Sequence, residues 1–500
     1  MRPEAGLGLV LLLGAHAAAK EGFLSVVADV ADPVSLDPHR EFDASSDNVV
    51  NQLFDGLLRL SAEGEVEPAL AVAWRRIDDR TLELDLREGV TFHDGEPFTA
   101  EAVRFSLRRQ LDPAKPAPNA GLLAGLLDVE VVGPLRVRLK TAGPDGVLLN
   151  KLPMFVKVLP PKYFERVGEG GFAEHPVGTG PFAFVSWERG RSIELEANPK
   201  YWGGAPKVGR LSFVFLPRER QLPALLEGRV DMLTDLSGLD TLAVARDPEL
   251  RVVKAKGFYT VSFLFNTLRG PFADARVRRA AAHAINTRDL IRYGGKGNGE
   301  PLAQLTIPGE FGFSPAVAPY PYDPETARRL LREAGYPKGL KVRVLARAEV
   351  SNYAKVMAGQ LRAVGIDTAI EVGSQETVFQ KLVVPNLDPK AAPFDGDLVI
   401  THYVDPTAHV YFPYSILVHS KGPYSLVRSP EFDGIFDEMV RTLEPEAQRA
   451  LCAKLAEVVH RDALALSFVQ VVRPLGLRRD VRYEPQITGM LEFRGVTRGQ

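Results

Sequence analysis

The alternation of apolar and polar positions changes period several times along the chain, and each change marks an element. FLSVVADV (23–30) has the pattern of a strand and leads into the turn-rich ADPVSLDPH (31–39). In SSDNVVNQLFDGLLRL (45–60), Val50, Phe54 and Leu57 fall at i, i+4 and i+7, which predicts a helix capped by one of Ser45, Ser46 or Asp47. TLELDLREGVTF (81–92) alternates as a half-buried strand and stops at the turn HDGEP, after which Thr99 opens a helix with Glu101 in its first turn. Beyond HPVGTGP (175–181), FAFVSWE and SIELEAN alternate on either side of RGR as a hairpin. LSFVFL (211–216) is a further strand, followed by a helix from about Arg220 to Glu227. VSFLFNT (261–267) is almost wholly apolar, the pattern of a strand buried on both faces.

The second half repeats one arrangement. Asp323-Pro324-Glu325 opens a helix whose Ala327, Leu330, Leu331 and Ala334 share a face, and Gly335 and Pro337 close it. KVRVLAR, SNYAKVMAGQLRAVG and IDTAIEV (341–372) then follow as strand, helix and strand. Short links between them make a βαβ unit, hence a parallel sheet with helices on its faces.

Composition sets the scale. At roughly 150 residues per domain, 500 residues imply two to four domains, with clefts between them where ligands bind. The 61 Lys and Arg nearly cancel the 63 Asp and Glu, and no basic block of five or more occurs, so no nucleic-acid partner is expected. MRPEAGLGLVLLLGAHAAAKEG has the order of a secretory signal peptide over 1–19, which predicts an exported, periplasmic chain; no cysteine stands there to take a lipid. The single cysteine, Cys452, borders the helical stripe Leu451, Leu455, Val458, Val459, the setting of an inert core thiol.

Enzyme signatures are missing: there is no G-x-S-x-G, no G-x-x-x-x-G-K-[ST] and no H-E-x-x-H. GGKGNGE (294–300) follows a helix rather than a strand and is expected to be a flexible loop, not a dinucleotide site. Of nine histidines, His93, His283 and His460 fit structural or solvated places, whereas His402, His409 and His419 crowd THYVDPTAH and the segment after it. Their spacing matches no zinc pattern, and neither a Glu base nor a Cys accompanies them. An exported hydrolase using His402 and Asp405 would lack a nucleophile. A cleft-forming binding protein, not an enzyme and without a cofactor, fits these residues better.

Several phrases, in order, resemble one family: the solute-binding proteins of ABC importers for peptides and nickel. They include SLDPH (35–39), EVEPALAVAWRRIDDRTLELDLREGVTFHDGEPFTAEAVRFSL (65–107), GTGPFAF (178–184), ANPKYWGGAPKV (197–208), LEGRVDM (226–232), PFADARVRRAAAHAINTRDLI (271–291), YDPETARRLLREAGYP (322–337) and LRAVGIDTAIE (361–371). The resemblance implies an α/β, two-lobed periplasmic-binding-protein fold of type II with an inserted third α+β domain. Lobe one would span 23–48, 176–266 and 474–500, the insertion 49–175, and lobe two 267–473. It also implies a monomeric receptor that holds a short peptide or peptide-like solute for a membrane ABC permease; a nickel or other metal chelate, or an opine-like solute, is the alternative.

The site residues follow from the same resemblance. In peptide binders an Asp four residues before the proline of a DP-type motif accepts the ligand's amino group; alignment on Pro406 puts His402 there, with Tyr403 beside it and Asp405 before the proline. Asp32 and Val34, ahead of SLDPH, would flank the ligand. The nickel branch carries a His about a dozen residues after the proline, near His419, which with His402 and His409 would supply metal ligands. Where that branch grips chelate carboxylates with arginines, LPMFVKVLPPKYF offers only Lys157.

Overall fold

VSFLFNT is the inner end of a 16-residue strand, and the large sheet is organised around it. The computed structural model describes residues 22–27, 32–41, 44–123, 125–388 and 390–499; the signal segment expected over 1–19 lies outside them. Along the chain the large sheet's strands are β1 (Phe23–Val27), β2 (Phe182–Glu188), β3 (Ser192–Ala197), β4 (Arg210–Val214), β5 (Met232–Leu233), β6 (Leu250–Phe265), β7 (Gly299–Pro301), β8 (Leu340–Arg347), β9 (Ile366–Gly373), β10 (Leu398–Val404) and β11 (Ala465–Arg478). Their spatial order is β9-β8-β10-β6-β11-β5-β1-β4-β3-β2, with β7 also paired to β11.

β6 and β11 form an antiparallel pair from Leu250↔Arg478 to Leu264↔Ala465, and they belong to both lobes. One lobe grows from them through β5, β1 and β4 to the β3–β2 hairpin. The other grows through β10 to the parallel β8 and β9, the predicted βαβ unit. Alternate residues of the apolar run pack on opposite faces: Val261, Phe263 and Phe265 join Val344, Ile400 and Phe468, whereas Leu264 joins Leu345 and Val399. Both faces are therefore buried, as the unbroken apolar pattern requires.

Local chemistry sets the helix ends. Asp323 accepts from the N–H groups of Glu325 and Thr326 at the start of the helix Pro324–Glu333, and Gly335 takes φ +91 just past its end. Two local expectations fail. The helix predicted to run to Leu60 spans Ala44–Leu53, and Leu58–Leu60 becomes a strand paired with Val66–Pro68. Gly56 is the cause: the chain passes so close to Pro153 that a Cβ would lie 2.7 Å from its carbonyl oxygen. Nor is GGKGNGE a plain loop, since Leu290–Gly294 is a π-turn and Gly299–Pro301 is β7.

A separate four-stranded antiparallel sheet, ordered Ala71–Asp78, Thr81–Leu86, Arg136–Thr141, Leu126–Gly133, carries the helix Ala100–Gln110. Leu84 and Leu139 of this sheet, with Phe155 of the helix Leu148–Phe155, share one buried cluster with Phe412, Tyr414 and Leu455 of the second lobe. Polar groups also cross this junction: Gly146 N–H donates to the Val440 carbonyl at 2.7 Å, and Asn150 Nδ2 to that of Thr407 at 3.1 Å. Lys151, paired with Asp145 at 2.9 Å, lies over the Tyr411 ring. No helix among the described residues is long and apolar enough to cross a membrane.

Gly146 is the tightest point of the junction, because a Cβ there would lie 2.0 Å from the Thr442 carbonyl oxygen. Gly146→Val should therefore cost about 1–3 kcal/mol of stability by overpacking and push the small sheet off the second lobe. Thermal unfolding should shift down, and small-angle scattering should give a larger radius of gyration. An unchanged melting point and scattering profile would mean that the junction is slack.

Candidate functional site

A cavity of about 480 Å³ lies where β6 and β11 pass between the lobes. The crossing strands contribute Lys256, Gly257, Tyr259 and Arg473, and the carboxyl ends of β8 and β10 contribute Arg347 and Thr401–Val404. Gln375 enters just after β9, while Asp47, Asn48 and Thr234 come from the first lobe. The carboxyl ends of parallel strands are where α/β sheets present their crevice. Met154, Phe412, Ile416 and Leu417 make one wall apolar.

The register of the crossing pair aims the central residues. Between Lys256↔Val472 and Thr260↔Gln470 the β6 strand carries two residues more than β11, a bulge that places Gly257, Phe258 and Tyr259. Gln470 Nε2 holds the bulge by donating to the Gly257 carbonyl at 3.0 Å. Tyr259 then stacks on His402 with ring centroids 4.9 Å apart and planes 19° apart. The Arg473 guanidinium sits 5.2 Å from the Tyr259 ring centre.

Charge in the cavity is unevenly satisfied. Arg347 Nη2 donates to Glu349 Oε1 and Gln375 Oε1, both at 3.2 Å. Lys256 is paired with Glu300 at 2.9 Å. Arg473 donates only to the Gly489 carbonyl, at 2.9 Å, and among the described residues it has no carboxylate partner. Burial, with Arg347 and Arg473 nearby, depresses the His402 pKa to about 3, so its imidazole is neutral. Its buried Nδ1 has no hydrogen-bond partner.

One further feature suits an extended ligand. The ladder between β8 and β10 stops at Ala346↔Ile400, so Thr401–Val404 continue past it with β6 as their strand partner on the other side only. That edge faces the cavity. It offers main-chain donors and acceptors to a strand-like guest.

The residues singled out in the sequence do not all converge. His402 and Tyr403 line the cavity, and Lys157 lines a smaller chamber beside it. Asp32 instead accepts from Trp187 Nε1 at 3.1 Å and Gly190 N–H at 2.9 Å, tying its loop to the β2–β3 hairpin; Val34 is 76% exposed and is outside the cavity wall. Asp405 is fully buried and accepts from Thr407 N–H at 2.7 Å, Thr407 Oγ1 at 2.6 Å and His409 N–H at 3.0 Å, which makes it the brace of its own turn rather than a ligand contact. The three histidines part company. His402 stacks on Tyr259, buried His409 on Phe311, and His419 leans on Phe436. Among the described residues no group of three His, Cys, Asp or Glu is placed to hold a metal. Buried Cys452 has its thiol pKa pushed up to about 12 by burial, and is inert.

Sequence reasoning missed Tyr259, Arg347 and Arg473. A signal existed for two of them: Arg347 ends a βαβ strand, and Arg473 is the lone charge in the run ALSFVQVVRPLGL.

Known proteins resemble this chain in sequence and in fold. The family described as bacterial extracellular solute-binding proteins, family 5 Middle, matches residues 65–424. Heme-binding protein A of Haemophilus influenzae is 31% identical over 324 residues, which span 60% of this chain and 59% of that protein. Glutathione-binding protein GsiB of Escherichia coli O1:K1 is 29% identical over 74% of this chain and 73% of its own length. In structure, the periplasmic binding protein DppA of Helicobacter pylori in complex with the peptide STSA superposes with a TM-score of 0.80 at 24% identity, covering 96% of this chain and 98% of that one.

Behind the cavity wall, two buried acids titrate against burial. Burial pushes Asp405 up to about 7, and burial together with the Asp405 charge holds Glu310 well above the carboxylate range. Folded acids with raised pKa values contribute stability that is full below the unfolded range near 4 and is lost as pH rises through about 7. His402 and His409, held at about 3, and His39 and His93, at about 4, act the other way: their contribution is full above about 6.5 and is lost as pH falls. Above pH 6.5 these histidines add no further slope, and the two acids lower stability as pH rises. Urea unfolding should therefore give a free energy that falls by on the order of 1 kcal/mol from pH 6.5 to 8.5, and Glu310→Gln should flatten that fall. Equal slopes in both proteins would contradict the assignment.

Proposed function

Because the chain belongs to the bacterial extracellular solute-binding proteins of family 5, we propose that it captures a short peptide or peptide-like solute between its lobes. In this reading it works outside the cytoplasm, as a periplasmic monomer, and delivers the solute to the permease of an ABC importer. The observation that carries the solute class is Arg473. It is a guanidinium facing the cavity with one carbonyl contact and no carboxylate partner among the described residues, beside the open β10 edge. A peptide supplies both missing halves: a carboxylate for the planar fork and an extended main chain for the edge. The relative named for glutathione supports a peptide-like solute.

The neutral His402 shapes the other end. With Arg347 and Arg473 close by, an imidazole that stays uncharged accepts one hydrogen bond but offers no counter-charge to an ammonium. The carboxylate end is therefore the anchored one. Closure follows from differential affinity: a solute that touches both lobes lowers the free energy of the closed arrangement more than that of an open one. The metal-chelate alternative rests on His419, which leans on Phe436 and does not line the cavity.

Incubation with a library of three- to five-residue peptides, followed by mass spectrometry of the retained material, should show enrichment. Arg473→Gln should weaken a retained peptide about tenfold or more in calorimetry, equivalent to about 1.4 kcal/mol, and C-terminal amidation of the peptide should do the same. Retention of no peptide, with tight binding of a nickel–histidine complex, would overturn the reading.

A further inference from the structure

Two carboxyl groups lie behind the cavity wall with no cation to meet them. Asp405 is 0% exposed and Glu310 4%, and neither enters an ion pair among the described residues. Asp405 has both oxygens engaged by Thr407 and His409. Glu310 Oε2 accepts from Ile307 N–H at 2.9 Å, while its buried Oε1 has no hydrogen-bond partner among the described residues. The two groups are close enough that the charge on Asp405 opposes ionisation of Glu310. Two buried carboxylates without a counter-ion cost far more than one carboxylate beside a neutral acid, so such a pair keeps one proton. The free Oε1 is a place for it.

The surroundings supply no charge that would displace this proton. Tyr403 of β10 and Tyr414 of the helix Tyr411–Leu417 face the pair as phenols that burial keeps neutral. Thr260 of β6, beside Tyr403, and Thr306, beside Tyr414, bring only hydroxyls. From the helix Pro445–Arg461, Cys452 reaches Tyr414 as a buried thiol, and Arg449 lies over the Phe311 ring, 4.0 Å from its centre. His409 is neutral, and Lys151 is engaged by Asp145 at 2.9 Å.

The pair also stands at a junction. Glu310 belongs to the segment 302–314, which is zipped to the turn after β10: Phe311 N–H donates to the Ala408 carbonyl at 2.8 Å, and Val410 N–H to that of Phe311 at 3.0 Å. From the turn a backbone relay leads outward. Asp405 N–H donates to the Phe258 carbonyl at 3.0 Å, Phe258 N–H to that of Ile487, and Ile487 N–H to that of Ala62 at 3.2 Å. The turn, the crossing strand β6, the C-terminal segment and the hairpin of Leu58–Leu60 and Val66–Pro68 are thereby joined in one line. Phe258, Leu302, Ile307 and Ala408, with Leu60 and Ile487, pack around it as one apolar cluster. Clearance is small, since a Cβ on Gly312 would lie 2.6 Å from Cys452 Sγ. A second charge here reaches water only by parting the segment from the turn.

We infer that Glu310 and Asp405 hold one proton between them and that this proton locks the segment 302–314 onto the turn after β10, so that solute is held while the proton stays and released when it leaves. Glu310 is a positioning residue: neither it nor Asp405 lines the cavity, but the turn they secure carries Tyr403 and Pro406, which do. Both acids are held above their ordinary range, so the proton is kept at neutral pH and leaves as pH rises. The release step rests on the peptide reading above; the lock does not.

Hydrogen exchange of the ligand-free full chain, read by mass spectrometry at about pH 6.5 and about pH 9 and corrected for the intrinsic rate, tests the lock. Protection of the segment 302–314 should fall about tenfold or more over that range in wild type. It should fall about twofold or less in Glu310→Gln, whose amide donates without titrating, and Glu310→Asp should restore the dependence. A pH-difference infrared spectrum should show a protonated-carboxyl band in wild type that Glu310→Gln lacks, a readout that survives a loss of stability in the variant. Library peptides retained at the lower pH should be shed at the higher by wild type and kept by Glu310→Gln. Unchanged protection in wild type, or an equal fall in Glu310→Gln, would overturn the shared proton, and equal shedding by both proteins would overturn the release step. Retention of no peptide would fall on the peptide reading alone, and hydrogen exchange would still decide the lock.

Discussion

The architecture depends on one constraint: two long strands, β6 and β11, must remain paired while serving two separate cores. Pairing satisfies their backbone groups through the interior, where an unpaired N–H or C=O would be expensive. Two hydrophobic clusters then claim different ends of the pair, with Leu475 and Leu477 in the first lobe and Val261, Phe263 and Phe468 in the second. The register shifts between the two ends, at the bulge of Gly257–Tyr259. A bulge strengthens twist and re-aims a side chain. Here it turns Tyr259 toward His402, so the device that joins the lobes also furnishes the cavity between them.

Glycine at the bulge has a steric cause. A Cβ on Gly257 would lie 3.3 Å from the Ile487 carbonyl oxygen and 3.4 Å from Gly489 Cα, and Gly489 itself accepts the Arg473 hydrogen bond through its carbonyl. Phe258 N–H closes the arrangement by donating to Ile487 at 2.6 Å. The C-terminal segment thus lies directly against the crossing point. Arg473 is positioned by that segment without being neutralised by it, which leaves its charge for a guest.

Much of the scaffold was legible because local and global signals agree. The βαβ unit, the β2–β3 hairpin and the doubly buried VSFLFNT strand all follow from period and punctuation. The site was less legible, for a physical reason. Tyr259, Arg347, His402 and Arg473 come from four strands, and Tyr259 is aimed by a bulge that leaves no periodic signature. The dense histidine segment pointed the other way. His402 lies on a strand, His409 in the turn after it, and His419 beyond a helix that starts at Tyr411, so neighbours in sequence face three different aromatic rings. The early end of the first helix was equally hidden, because Gly56 is required by Pro153, about a hundred residues on.

The acid of the DP motif shows how a suggestive residue is already occupied. Ala408 adopts φ +52, a left-handed conformation that costs a non-glycine residue about 1–2 kcal/mol. Asp405 brackets it, accepting from Thr407 on one side and His409 on the other, and these three charge-assisted bonds fix the turn that carries Pro406 into both chamber walls. If that carboxylate turned toward a ligand, the turn would lose its brace and Ala408 its compensation. On the proposed reading the protein keeps its buried acid for structure, leaves position 402 uncharged and offers cations to its solute, a division of labour that would favour the acidic end of a guest over its amine.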